Sequence, residues 1–265
     1  MSDKKMVIGL SGLFLAVIII MLLLIPVEEK HEYYLKWGEL AVRAETDERA
    51  KFAIDNSELY PQEWFNLLYS NSEDIFDFAY RYPFCKDNYK NMSFTDEELN
   101  SEEVPAVYMN DVRWVYEDYG ILTQGCAAVT ITMANLYINH NDAVDPVKIN
   151  DYANEMGYSG LGGIELENIA DIMEHFGIIA EEHVFDKENG EKITESELKA
   201  AVDMENAVVM AAVRGGTFGN HALIIRGYDE NGFYINDPAD AERTAAQWDF
   251  DVFENELVCY WVVTD

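Results

Sequence analysis

The sequence predicts an α+β fold with an antiparallel sheet. Helical periodicity dominates from Ala127 to Met204, strand-like apolar runs dominate after Ala207, and a hairpin turn joins two of those runs. Taken from the N-terminus, the first feature is an uncharged, almost wholly apolar run from Met6 to Ile25, closed by Pro26. At ~1.5 Å per residue, about 20 residues span a ~30 Å hydrocarbon core. Lys4 and Lys5 precede it and Glu28 and Glu29 follow it, so the positive-inside rule puts the N-terminus in the cytoplasm and the rest outside. The run ends Met21-Leu22-Leu23-Leu24-Ile25-Pro26, without a small-x-small cleavage site. It therefore reads as an uncleaved transmembrane anchor rather than a cleaved signal peptide; cleavage would leave a secreted product. No polar face interrupts it, which argues against a buried core helix.

Residues 1–27 are thus the anchor with a short cytoplasmic end, and 28–103 a stalk and small helical region. Within that region, Tyr33, Tyr34, Leu35, Leu40 and Val42 suit a short amphipathic helix. Pro61 suits the first turn of another, with Trp64, Phe65, Leu67 and Leu68 on its apolar face. Ser72 can cap a third that runs through Ile75, Phe76, Phe78, Ala79 and Tyr80 to Pro83. The acidic stretch 87–103 reads as a linker. Residues 104–265 form the main domain. Helices are expected over Ala127–Ile138, Pro146–Met156, Ile164–Phe176 (stopped by Gly177) and Leu198–Met204, the last behind a Thr194-x-x-Glu197 capping box. Strands are expected over Ala207–Val213, Ala222–Tyr228, Gly232–Ile235 and Leu257–Val263, with Asp229-Glu230-Asn231-Gly232 as the hairpin turn.

Of the 265 residues, 50 are acidic and 18 basic, a net charge of −32. That surplus argues against phosphate-mediated nucleic-acid binding. A heavily solvated surface accounts for it; a salt-adapted host or a cationic substrate are sharper alternatives that the sequence does not separate. Three cysteines are too few for a disulfide framework. Cys85 and Cys259 either pair or are buried apolar residues, and Cys259 sits in the strand run Leu257–Val263. There is no CxxC, no HExxH and no clustered histidine, so no metal and no cofactor are expected.

Cys126 follows Gly125 and opens a long helical pattern. A helix N-terminus carries roughly half a positive charge and free N–H groups, which favour thiolate and can later hold an oxyanion. His221 opens the apolar strand Ala222-Leu223-Ile224-Ile225 behind Gly215, Gly216 and Gly219. A histidine entering a buried strand needs a hydrogen-bond partner or the open end of a sheet. The hairpin turn folds Asn236-Asp237-Pro238 back beside it. Asp237 lands near Leu223 or Ile225, about one diagonal step of ~7–8 Å from His221 if they share a face. Asn236 competes as the orienting group, because a one-residue slip exchanges the faces. His175 and His183 are further bases, but without glycine-flanked contexts.

From Val104 to Asp265 the chain resembles the C39-like, papain-fold cysteine peptidases of bacteria. The resemblance rests on Asp111-Val112-Arg113-Trp114 with Tyr119-Gly120, and on Gly125-Cys126-Ala127-Ala128 with Met133-Ala134. It also rests on Tyr158–Gly163 with the helix that follows, and on Asn220-His221 through Gly227-Tyr228-Asp229 to Asn236-Asp237-Pro238. It implies a papain-like fold, a nucleophile helix packed on an antiparallel sheet. By the same resemblance, Cys126 would be the nucleophile, His221 the general base and Asp237 the orienting acid. Two positions depart from the pattern. Ala127-Ala128 stand where the family often has Gly-Pro, and Met109 where it often has an oxyanion-hole glutamine. Gln124, Asn110 and Asn236 are the amides left to serve an oxyanion or position a substrate. The implied activity is hydrolysis of peptide or amide bonds, without a cofactor, on a peptide or cell-wall peptide substrate. Combined with the anchor, the expectation is a single-pass membrane protein with its catalytic domain extracellular. Two alternatives are an inactive papain-like module that binds peptides or cell-wall fragments, and an interaction protein built on the N-terminal helices and acidic surface.

Overall fold

The computed structural model describes residues 41–60, 79–84, 93–115, 119–160, 162–185 and 189–265. The apolar run 6–25, most of the helix expected over Tyr33–Val42, the helix expected behind Pro61, the first part of the one expected from Ser72 to Pro83, and Cys85 lie outside these residues; of that last helix, 79–84 are described and helical, reaching one residue past Pro83. Among the described residues, no helix is long and apolar enough to cross a membrane. The chain divides into two compact units, Met1–Tyr80 and Arg81–Asp265. In the first, helix α1 (Glu48–Asp55) is capped by Asp47, which accepts from the Arg49 N–H. Ala50 and Ala53 are its buried face.

The second unit carries the sheet. Among the described residues it carries the helices α2 (Asp96–Leu99), α3 (Val112–Val115), α4 (Tyr119–Gln124), α5 (Cys126–Asn139), α6 (Pro146–Met156), α7 (Ile169–His175), α8 (Glu195–Val202), α9 (Ala241–Ala245) and α10 (Phe250–Glu256), besides the short helical stretch that ends at 84. Its strands are β1 (Ser159–Gly160), β2 (Gly163–Ile164), β3 (Ile179–Val184), β4 (Ala207–Gly215), β5 (Gly219–Asp229), β6 (Gly232–Asn236), β7 (Gln247–Trp248) and β8 (Leu257–Thr264). β1 and β2 pair as a small ribbon, while the other strands form a six-stranded sheet in the order β3-β8-β4-β5-β6-β7, with antiparallel pairs throughout. The α+β expectation holds.

Alternation along the strands sorts the core. Val209, Ala211 and Val213 of β4, Leu223 and Ile225 of β5, and Tyr260 and Val262 of β8 join Leu198 of α8 and Phe253 of α10 in one cluster. The helix α5 lies against β4, β5 and β8. Ten consecutive α5 residues, Ala127 to Leu136, are buried, so it has no polar face to show solvent. Burying a Leu- or Ile-sized side chain contributes about 1.5–3 kcal/mol, so such a helix is a main source of stability.

Three expectations need correction. The helix expected over Ile164–Phe176 starts later: Gly163–Ile164 is β2, Leu166–Asn168 is a single 3₁₀ turn, and α7 begins at Ile169. Ile164 is held in the ribbon by pairing with Ser159. The presumed linker 87–103 contains α2, with a capping box at Thr95 and Glu98. Glu98 accepts two hydrogen bonds from Arg113, both 2.8 Å, so α2 is tied to the domain. Finally, β3, β7, α9 and α10 had not been expected. β3 is an edge strand whose residues are mostly exposed, so its sequence Ile-Ala-Glu-Glu-His-Val shows little apolar alternation.

Candidate active site

Cys126 is the first residue of α5, with Gly125 as N-cap. The preceding helix α4 runs into the same corner, and Gly125 N–H donates to Ile121 O at 2.9 Å. A Cβ on Gly125 would come within 2.5 Å of that oxygen, so only glycine lets the two helices meet this closely. The corner aims the α5 N-terminus, its positive dipole end, at the thiol.

His221 sits near the start of β5, opposite Val213 of β4. β6 ends at Asn236, which pairs with Ile224. Continuing that register puts Asp237 across from Leu223, on the His221 face. The two side chains meet: His221 Nε2 lies 2.6 Å from Asp237 Oδ1. Cys126 also acts on the His221 ring and raises its pKa, and with Nε2 engaged by Asp237 the nitrogen left for the thiol is Nδ1.

Asp237 is pinned from several sides. Ala239 N–H donates to its Oδ1 at 2.8 Å, and its own N–H donates to Thr244 Oγ1 at 2.9 Å. Its side chain is 0% exposed, so its charge depends wholly on these protein partners.

The electrostatics follow from the geometry. Burial alone pushes the Cys126 thiol up; the hydrogen bond and charge of His221, with the N–H groups of Ala222 and Ala127, outweigh it and hold the thiol below its ordinary value. Burial likewise pulls His221 down, but the hydrogen bonds and charges of Asp237 and Cys126 raise it to about 9. Burial would raise Asp237, yet His221, the Ala239 N–H and the Arg243 charge keep it below the usual carboxylate value. The two shifts are opposite in direction and each is driven by the other group, so the thiol and the imidazole titrate as a coupled unit.

The three candidate amides fare differently. Asn236 is buried and donates its amide to Val104 O at 2.8 Å. Gln124 is exposed at the end of α4, beside the β1–β2 ribbon: a Cβ on Gly163 would come 2.4 Å from Gln124 O, and Gly163 has φ +98°. The ribbon also reaches His221's neighbour, with the Gly162 Cβ position 3.8 Å from Asn220 Nδ2. Asn110 is half-buried, and the N–H of its neighbour Met109 is spent on Pro238 O at 2.7 Å. Of the other histidines, His175 stacks on Tyr152 at 3.7 Å, His183 stacks on Tyr260 at 4.5 Å, and His140 Nδ1 lies 3.1 Å from Leu99 O.

Arg113 of the Asp-x-Arg-Trp segment serves the scaffold. It bridges Glu98 and Asp111, and its guanidinium lies 4.9 Å from the Phe94 ring and 4.8 Å from the Trp114 ring. Cys259 is a free, fully buried thiol that burial pushes up to about 12. Among the described residues, no group of three His, Cys, Asp or Glu is placed to hold a metal ion.

The sequence reading missed two contributions: the Ala222 N–H that faces the thiol, and α9 with its Arg243. The second left a signal. Asp240 before Ala-Glu-Arg-Thr-Ala is a helix N-cap pattern, and Asp240 does accept from the Glu242 and Arg243 N–H groups.

The model of the Peptidase_C39 like family matches residues 101–264. The chain belongs to that family. Its α+β architecture and antiparallel sheet are those of C39 peptidase domains, and family membership supports a cysteine peptidase. Solved structures align with it at low identity. The peptidase domain of Streptococcus ComA, a bi-functional ABC transporter involved in a quorum-sensing pathway, shares 13% identity at TM-score 0.41, covering 54% of this chain and 92% of its own. A double glycine motif protease from an AMS/PCAT transporter, in complex with the leader peptide, shares 13% at TM-score 0.36, over 63% of this chain and 96% of its own. A protein described as a C39-like peptidase from Bacillus anthracis shares 15% at TM-score 0.35, over 61% of this chain and 95% of its own. No curated protein matches the sequence.

Proposed function

We propose that this C39-like domain is a cysteine hydrolase of peptide or amide bonds, working through Cys126, His221 and Asp237. The 2.6 Å His221–Asp237 contact, made by a histidine whose ring is also coupled to a thiol at a helix N-terminus, is the observation that carries the reading. Cys126 thiolate attacks the scissile carbonyl carbon. The α5 N-terminal N–H groups, Ala127 first among them, face the oxyanion that forms. His221, already protonated, gives its proton to the leaving amine through Nδ1. It then takes one from the water that hydrolyses the acyl-enzyme. Asp237 fixes the tautomer by accepting from Nε2 and stabilises the imidazolium.

Residues 104–265 are the catalytic domain in this reading, held at the outer face of a membrane by the 6–25 segment through the 28–103 region. The apolar length and the Lys4, Lys5 against Glu28, Glu29 asymmetry support that topology. Activity is tested by incubating the full chain with a quenched fluorescent peptide library, with Cys126→Ala as control. Cleavage lost in the variant supports the reading; equal cleavage by both contradicts it. Topology is tested with protease on intact cells, where protection of the domain would overturn the extracellular placement.

A further inference from the structure

We propose that Arg243 is a fourth, positioning member of this site: it holds the second oxygen of Asp237 so that the first stays with His221. The inference rests on the triad reading above. Asp237 Oδ1 is occupied by His221 Nε2 at 2.6 Å and by the Ala239 N–H at 2.8 Å. Oδ2 has one partner among the described residues, Arg243 Nη1 at 3.4 Å. No solvent reaches this carboxylate. Without Arg243, Oδ2 would be a buried acceptor left unmade, which is costly. The carboxyl would then turn Oδ2 toward another donor or take up a proton; either change loosens the imidazole.

Arg243 is itself preorganised. Its N–H is capped by Asp240, its Nε lies 3.6 Å from Asp240 Oδ2, and its carbonyl accepts from Trp248 Nε1 at 3.0 Å. Its guanidinium lies 5.6 Å from the Phe218 ring centre. Phe218 N–H is in turn held at 3.2 Å by Glu256, whose carboxylate also accepts from Thr217. One cation therefore ties α9 both to Asp237 and to the β4–β5 turn from which His221 departs. The charged groups facing Asp237 are His221 on β5 and Arg243 on α9, with Asp240 tempering the latter. Their signs agree: a positive charge at Oδ2 keeps Asp237 anionic to lower pH.

The experiment follows the His221 Nε2 proton, which lies in a short bond and resonates downfield of the amide region in proton NMR of the full chain. The resonance disappears on acidification as Asp237 protonates. His221→Ala should abolish it, which assigns it. In Arg243→Gln the acid midpoint should move up by roughly 0.5–1 unit, an effect discounted for the partial exposure of Arg243. Arg243→Lys, which keeps the charge, should recover most of the shift. An unmoved midpoint in Arg243→Gln, or an equal shift in Arg243→Lys, overturns the role of Arg243 alone. A downfield resonance that survives His221→Ala overturns the triad, and this inference with it.

Discussion

Asp237 is the residue on which the site's electrostatics turn, because its charge is sealed from water and still ionised. Removing that charge while keeping the shape separates orientation from nucleophilicity. Asp237→Asn should lower peptide hydrolysis by about 10²–10⁴-fold, since the imidazole loses its fixed tautomer. Alkylation of Cys126 at pH 6 should persist, because the Cys126 thiolate still favours the protonated imidazole once the Asp237 charge is gone. Iodoacetamide kinetics check this; loss of both activities together contradicts the division of roles. The meeting of Cys126, His221 and Asp237 was legible because glycines, a helix start and a strand start flag them. The choice of Asp237 over Asn236 came from the family resemblance, because the strand pattern alone left it open.

That choice is made at the scale of elements, by a bulge. Asp229 pairs with Gly232 and Gly227 with Tyr234, but Ile225 pairs with Ile235 and Ile224 with Asn236, so the register slips by one at Arg226. Had the first register continued, Asn236 would lie across from Ile225, on the His221 face, and Asp237 would face the other way. A bulge adds a residue to one strand with little sequence signal, so the hairpin was readable and its parity was not. The α4–α5 corner is the second element the site needs. Gly125→Ala drives a methyl into Ile121 and should destabilise the fold by about 1–3 kcal/mol, measured by urea unfolding. An unchanged midpoint would mean the corner relaxes freely. The third is the Arg113 brace. Arg113→Ala strands the carboxylates of Glu98 and Asp111, and should cost about 3 kcal/mol while leaving the alkylation pH profile of folded protein intact. A changed profile would show that the brace also shapes the site.

At the scale of the molecule, the net charge of −32 makes the chain repel itself. Raising salt from 10 mM to 0.5 M shortens the Debye length from ~30 Å to under ~8 Å. Scanning calorimetry of the full chain should therefore show Tm rising by about 2–4 °C, equivalent to about 1 kcal/mol. A fall would mean that local ion pairs outweigh the surplus. Fold class was legible at this scale because α5 and the central strands are long and apolar. The polar edge β3 and the short helices α9 and α10 escaped, since their places are set by contacts with the sheet rather than by their own periodicity. The central claim is that Cys126 and His221 form a thiolate–imidazolium pair, and the rate of Cys126 alkylation against pH tests it most directly. A thiol held below its ordinary value of 9.0, beside a histidine raised to about 9, should react fast from mildly acidic pH upward. His221→Ala should erase that acidic limb and leave a single rise toward pH 9. An identical profile in the variant would make His221 a structural histidine and contradict the account.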